Sequence, residues 1–469
     1  MAKGKSDAEK ALKKVKKAAD KVDETKGKKA KRAKLKARIA ELEAALPAAP
    51  AADQAAPEGP RVSPLAPDFP DLPAIAGVRF ATAQAGVKYK NRTDVMLADL
   101  APGTVVAGVF TRSSTRSAAV LDCQQKLAAA KGKGGWAILV NSGNANAFTG
   151  AAGVESVEAV CQAAGQALGV PPARVLTSST GVIGAPLPHD RIAAALDGLS
   201  QALSPEGIAD AARAIMTTDT FPKGATRTVE LDGTTVTIAG IAKGSGMIAP
   251  DMATMLAYVF TDARVTADAL QAMLADLTRS TFNAITVDGD TSTSDTLIAA
   301  ATGRAEHREI NKTRTRNKTD FKAALGEVLK DLALQIVMDG EGATKLVEVS
   351  VTGAASAADA RKVASAIANS PLVKTAIAGE DPNWGRIVMA VGKSGARADR
   401  DLLRISFGDI LVAENGRIAE SYTEEAGAAY MRRDRLTLAV DLGLGRAAST
   451  MWTCDLTARY IEINADYRS

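Results

Sequence analysis

The chain has 469 residues, 46% hydrophobic and 24% charged, with a formal net charge of +5. This is an ordinary globular composition with ample apolar material for a large core. No apolar run reaches the length of about 18 residues that a membrane helix needs.

The basic charge is local. Residues 1–46 hold 16 Lys/Arg against 7 Asp/Glu, so the rest of the chain is slightly acidic. Leu35, Ile39, Leu42 and Leu46 recur at the spacing of an amphipathic helix. Residues 1–46 therefore read as a basic, partly helical extension. A nucleic-acid, membrane or coiled-coil contact is the functional alternative. The lysines are not interleaved with aromatics, which favours a solvated extension over nucleic-acid binding. There is no apolar h-region, and Asp7, Glu9, Asp20, Asp23 and Glu24 argue against a transit peptide, so a cytoplasmic location is expected. Residues 47–73 are rich in Pro and Ala and read as a loose linker.

From residue 74 strands and helices mix. Ala137 to Val140 reads as a buried strand running into an Asn/Gly-rich loop, with a helical pattern over 151–169. Val229/Leu231 and Val236/Ile238 alternate on either side of Asp232-Gly233, the mark of a hairpin. Residues 255–263 read as an apolar strand followed by a helix. Residues 307–318 are basic and polar and read as an exposed loop. Three later segments, including ARYIEINADY at 458–467, read as strands.

The chemistry-bearing residues are few. His189 and His307 are the only histidines, and both read as surface residues, so Ser-His-Asp or Cys-His catalysis has little to work with. Cys123, Cys161 and Cys454 are far apart, odd in number and without a CxxC pair, which suits reduced thiols and disfavours a cysteine zinc site. No GxxxxGK[ST] loop or full dinucleotide fingerprint is present. A hydroxyl nucleophile with a base other than histidine remains. An N-terminal threonine provides one, because its own α-amine, with a pKa of about 8, accepts the hydroxyl proton. Thr254 follows Gly244, Gly246, Pro250 and the small Ala253, an approach able to hold a strained peptide bond. On pattern alone, a β-branched Thr opening a strand is the better reading.

KGSGMIAPDMATML (243–256) strongly resembles the self-processing segment of the glutamate N-acetyltransferase family, also called ornithine acetyltransferase, of arginine biosynthesis. VNSGNANAFTG (140–150), TSSTGVIG (177–184), MTTDTFPK (216–223), TVDGDTSTSDT (286–296), MDGEGATK (338–345), AGEDPNWGRI (378–387) and the C-terminal segment resemble family segments in family order, over residues 74–469.

The resemblance implies cleavage between Ala253 and Thr254, giving an α chain over 74–253 and a β chain over 254–469. It implies Thr254 as nucleophile, Thr180 and Gly181 as oxyanion-hole donors, and Thr217, Lys243, Thr254, Glu341, Asn464 and Ser469 as substrate-binding positions. Thr218 and Thr220 stand beside Thr217 and leave that choice open. The implied reaction moves acetyl from N-acetylornithine to glutamate by a ping-pong route, with no cofactor. Acetyl-CoA as a co-substrate stays open, and a hydrolase or aminopeptidase of related fold is the alternative. The implied fold is α+β, an αββα sandwich with a smaller C-terminal α/β domain, assembled as an α2β2 heterotetramer. Asn141, Asn144 and Asn146 read as structural. Asp288, Asp290 and Asp295 read as turn and hydrogen-bonding residues, since the EF-hand's closing Glu is missing, and no metal is expected.

Overall fold

In the computed structural model the chain divides into two units, Met1–Arg61 and Val62–Ser469. The structure describes residues 62–465 apart from 131, 133 and 250–254, and in the first unit residue 37 alone. The stripe Leu35, Ile39, Leu42 and Leu46 therefore lies outside the described residues, as do Ala253, Thr254 and Ser469.

In chain order the first elements of the second unit are β1 (Val78–Ala83), β2 (Val95–Leu100), β3 (Val105–Phe110), α1 (Ala118–Ala129), β4 (Trp136–Asn144), α2 (Gly150–Leu168), β5 (Val175–Val182), α3 (His189–Gln201) and α4 (Ile208–Ala214). Then come β6 (Lys223–Leu231), β7 (Thr234–Lys243), β8 (Leu256–Thr261), α5 (Ala267–Thr278), β9 (Thr296–Ala301) and α6 (Arg316–Met338). They build two sheets, ordered β1-β2-β4-β5 and β3-β9-β8-β7-β6.

Strand periodicity explains the layering. In β2, Met96 and Ala98 enter the core between the sheets, while Val95 and Leu97 pack outward with Val157 and Val160 of α2 and Ile192 and Leu196 of α3. In β8, Leu256, Tyr258 and Phe260 face the first sheet, whereas Ala257 and Val259 join Leu270 and Met273 of α5 and Leu325, Leu329 and Ile336 of α6. Phe80 and Phe260 meet edge to face across the middle, with ring centroids 5.0 Å apart. This is the expected αββα sandwich, with both sheets buried on both faces.

The remaining elements are β10 (Leu346–Ala354), α7 (Ala357–Ala368), α8 (Pro371–Ala378), α9 (Trp384–Lys393), β11 (Arg404–Phe407), β12 (Ile410–Glu414), β13 (Arg417–Ile418), α10 (Glu424–Met431), β14 (Arg435–Asp441), β15 (Ala447–Cys454) and α11 (Ala458–Ala465). Their sheet runs β13-β12-β11-β14-β10-β15 and has its own core, in which Val349 and Val351 meet Val363 and Ile367 of α7 and Ile387 and Val391 of α9. This is the smaller C-terminal domain, and the fold class is α+β. No helix among the described residues is long and apolar enough to cross a membrane.

The β6–β7 hairpin is as expected. Asp232 and Gly233 both have positive φ, 51° and 82°, as a two-residue type I′ turn requires.

Four expectations need correction. The linker over 47–73 ends sooner than its proline content implies. From Val62 on the chain belongs to the second unit: Ser63 donates its N–H to Thr220 Oγ1 and its hydroxyl to the Met338 carbonyl, and Leu72 is buried. Apolar anchors override the looseness of prolines there, because Phe69 and Leu72 fill the space that the missing side chain of Gly224 leaves. Residues 458–465 form α11 rather than a strand. None of them is buried, so the apolar alternation of Tyr460, Ile461 and Ile463 never meets a sheet. His307 is not a surface histidine. It is buried, its Nε2 accepts from the Arg264 N–H at 2.9 Å, and its Nδ1 lies 2.8 Å from the Arg308 carbonyl. The polar segment around it ends where α6 begins, at the Thr315 cap. Asn141 and Asn144 belong to β4 itself rather than to the loop after it. His189 is partly exposed, as expected, with Nδ1 3.0 Å from Ser156 Oγ.

Candidate active site

Strands β4 and β5 run parallel and in register until Gly143 meets Gly181, where the pairing slips. Both glycines have positive φ, 97° and 130°. A Cβ on Gly181 would stand 2.3 Å from the Gly143 carbonyl carbon, so only glycine allows this approach. Three asparagines lace the strand ends together. Asn141 accepts from Ser179 Oγ at 2.7 Å, Asn144 donates to the Ala185 and Pro186 carbonyls, and Asn146 donates to the Gly153 carbonyl. The structural role expected of them holds, and their effect is to fix Thr180 and Gly181.

Lys243 closes β7 and pairs with Leu256, the first residue of β8. It is almost fully buried, with Nζ 3.5 Å from Thr180 Oγ1 and 3.9 Å from Asp219 Oδ2. Burial lowers the Lys243 pKa below its ordinary value, against the pull of Asp219 and Glu341.

Asp219 is a hub that sequence reasoning missed. Its carboxylate accepts from the Lys223 ammonium at 2.7 Å, from the Gly244 N–H at 2.6 Å and from the Thr217 N–H at 2.9 Å. Lys223 also bonds Asp339 at 2.5 Å, and all three side chains are fully buried. Burial works against the charge on Asp219. The Lys223 and Lys243 ammoniums and the Gly244 N–H outweigh it and hold the carboxyl below the usual range. Asp339, with Lys223 as its single cation, is pushed up by burial to about 6. The i, i+4 spacing of Asp219 and Lys223 was visible in the sequence. Asp339 lies 116 residues further along the chain, where no local pattern points.

Glu341 takes its place through its N–H to the Ser245 carbonyl at 3.0 Å. Its carboxylate lies against the bare backbone of Gly246 and accepts from Asn464 Nδ2 at 2.6 Å. Asn464 comes from α11, which Tyr460 and Thr457 also tie down, through Asp288 and the Gly342 carbonyl.

Thr180, Gly181, Thr217, Lys243, Glu341 and Asn464 thus line one cavity of about 260 Å³. Of the three neighbouring threonines, Thr217 and Thr218 line it, whereas Thr220 is spent on Asp339. Ser292, Thr293 and Ser294 add hydroxyls that sequence reasoning did not assign, and Ala145, Val182, Ile183 and Met247 form an apolar side. A cation, a carboxylate and a row of donors around a space of this size suit a small zwitterion with an apolar group. No group of three potential metal ligands occurs among the described residues.

Two aspartates bind the backbone on either side of residues 250–254. Asp288 accepts from the Met247 and Ile248 N–H groups at 2.6 and 2.9 Å, and Asp295 accepts from the Met255 N–H at 3.0 Å. The hydrogen-bonding role read for these two aspartates is therefore present.

The fold and site define an α+β sandwich whose two central sheets meet at a buried, hydroxyl-rich, charge-paired pocket. The model of the ArgJ family matches residues 79–469, and the chain belongs to that family. It is 66% identical over 395 residues to the arginine biosynthesis bifunctional protein ArgJ of Ruegeria pomeroyi, covering 84% of this chain and 95% of that one. It is 56% identical over 398 residues to the protein of the same name from Mesorhizobium japonicum, covering 84% and 96%. A crystal structure of the Bacillus halodurans ArgJ protein aligns at 43% identity over 44% of this chain and 97% of that chain, with a TM-score of 0.43.

Proposed function

We propose that this chain is an acetyltransferase of arginine biosynthesis that cuts itself between Ala253 and Thr254 and then uses Thr254 as its nucleophile. The observation that carries the reading is the cavity that gathers Thr180, Gly181, Lys243, Glu341 and Asn464 beside the start of β8, two residues after Thr254.

In turnover the Thr254 α-amine takes the proton from Oγ, and Oγ attacks the acetyl carbonyl of N-acetylornithine. The oxyanion is met by the Thr180 hydroxyl and the Gly181 N–H, and the nearby Lys243 ammonium favours the same charge. Ornithine leaves, and the amine of glutamate takes the acetyl group from the enzyme. Lys243 pairs the α-carboxylate, Glu341 with Asn464 receives the side-chain ammonium, and Thr217 and Ser469 complete the contacts. The bifunctional name of the relatives supports acetyl-CoA as a second donor. The α and β chains stay together, because residues from both form the cavity, and the family resemblance implies two of each, α2β2.

The test is acetyl transfer from labelled N-acetylornithine, with and without glutamate. Labelled N-acetylglutamate is expected. Release of acetate at the same rate in both, with no acetylglutamate, would make the protein a hydrolase and overturn the proposal.

A further inference from the structure

The cavity of about 260 Å³ holds a small zwitterion but not a whole coenzyme. A donor such as acetyl-CoA can place its acetyl end there. Its pyrophosphate, ribose phosphate and adenine must then lie outside, across the rim. The rim is electrically uneven. Under α11 it is acidic: Asp288, Glu341 and Asp290 all act on the Tyr460 hydroxyl, and Arg459 of the same helix is paired with Glu462. A polyanion is repelled on that side.

The loop between β1 and β2 has the opposite sign. Gly86-Val87-Lys88-Tyr89-Lys90-Asn91-Arg92 holds three cations and no carboxylate. It meets the cavity wall at two points. Lys88 rests on Gly143, where a Cβ would stand 3.1 Å from the Lys88 Cβ, and Gly143 is the strand partner of the cavity-lining Gly181. Arg92 donates to the Met216 carbonyl and, at 3.2 Å, to the carbonyl of Thr217, which also lines the cavity. The loop is held in shape from below. The buried Asp94 accepts from the Ala85 N–H at 2.7 Å and the Val87 N–H at 2.6 Å, and its carbonyl takes the Ser142 N–H of β4 at 2.9 Å.

This fixed loop presents an aromatic ring among cations. Tyr89 is 43% exposed, with Lys88 Nζ 4.8 Å and Arg92 Cζ 5.9 Å from its ring centroid. Arg92 is engaged by the two carbonyls. Lys88 and Lys90 are exposed, and neither is paired with a carboxylate among the described residues. We propose that Lys88, Tyr89 and Lys90 bind the nucleotide end of acetyl-CoA, the lysines meeting its phosphates and the Tyr89 ring its adenine, while the acetyl end enters the cavity. The inference rests on the reading of acetyl-CoA as a second donor. N-acetylornithine carries no nucleotide and does not use the loop, so the loop separates the two donors.

The test measures KM and kcat for acetyl-CoA, acetyl-pantetheine and N-acetylornithine, with glutamate as acceptor. Acetyl-pantetheine carries the same thioester without the nucleotide. Wild type is compared with Lys88→Glu/Lys90→Glu, Tyr89→Ala and Arg112→Glu, the last reversing an exposed cation outside the loop. The double reversal should raise KM for acetyl-CoA about ten- to a hundredfold, as expected for lost charged hydrogen bonds. Tyr89→Ala should raise it about fivefold or more, as expected for a lost base stack. KM for acetyl-pantetheine and both constants for N-acetylornithine should stay within about twofold of wild type, because the loop supplies binding that only the nucleotide feels. Unchanged turnover of N-acetylornithine also reports an intact fold; if the double reversal loses it, Lys88→Gln/Lys90→Gln and Tyr89→Ala decide. An acetyl-CoA KM unmoved in either loop variant, an equal rise for acetyl-pantetheine, or the same rise in Arg112→Glu overturns the proposal. A wild type that transfers acetyl from N-acetylornithine but never from acetyl-CoA overturns instead the second-donor reading, and the role of the loop with it.

Discussion

Replacing Gly181 by Ala adds a single methyl at the point where β4 and β5 come closest. The φ of 130° at Gly181 is open to glycine alone, and the new Cβ would stand 2.3 Å from the Gly143 carbon and 2.6 Å from the Asn144 nitrogen. Carbon contacts settle at about 3.5–4.0 Å, so the strands must part by about 1 Å or more. The asparagine bonds that lace β4 to the end of β5 resist the movement. Backbone strain of about 1–3 kcal/mol and overpacking of about 1–3 kcal/mol should together cost roughly 2–6 kcal/mol. On the proposed mechanism the same displacement takes the Gly181 N–H away from the reacting carbonyl, and loss of one oxyanion donor lowers kcat by about 10²–10³-fold. Urea unfolding of Gly181→Ala against its parent, both in the uncut Thr254→Ala background, measures the first effect. Acetyl transfer by chains with Thr254 intact measures the second. A variant within about 0.5 kcal/mol of its parent, with unchanged kcat, would refute both the steric argument and the oxyanion role.

Asp219→Asn should cost about 3–5 kcal/mol in urea unfolding, because it takes one partner from a buried ion pair; a variant as stable as its parent would show that Lys223 does not need Asp219. Asn464→Ala should raise KM for N-acetylornithine about ten- to a hundredfold with little change in kcat, since it removes one hydrogen bond to a charged group. A fall in kcat at constant KM would instead place Asn464 at the reacting centre. The thiols should be silent to an alkylating reagent in the native protein and react in denaturant. All three cysteines are buried, Cys123 is pushed up to about 12 by burial, and Cys161 and Cys454 are raised by the same cause. Fast labelling of any one of them in the folded protein would contradict this.

Local chemistry made the β6–β7 hairpin legible, because a two-residue turn needs residues that tolerate positive φ and Asp232-Gly233 are such residues. The apolar strand after Thr254 was legible for the same kind of reason. The C-terminal helix was not. Its Tyr, Ile and Ile look like a strand, and what makes it a helix is held at a distance, in the bonds of Asn464 to Glu341 and Tyr460 to Asp288. His307 reads as a surface residue because its burial depends on the Arg264 backbone, brought in from 43 residues away. The site shows the same limit. Motif resemblance picked out the residues that line the cavity, whereas Asp219, Lys223 and Asp339, which hold that lining in place, meet only in the fold. Asp288 and Asp295 read as hydrogen-bonding residues, but no local pattern tells that their partners are the backbone N–H groups of Met247, Ile248 and Met255.

The central claim is that Thr254 becomes a new N-terminus. Purified wild-type protein, separated under denaturing conditions and read from its N-termini, tests it most directly. The account predicts two fragments, the smaller of 216 residues and beginning Thr-Met-Leu-Ala, and a single inactive chain for Thr254→Ala. An uncut wild-type chain with full acetyl-transfer activity, or a fragment beginning at any other residue, would contradict it.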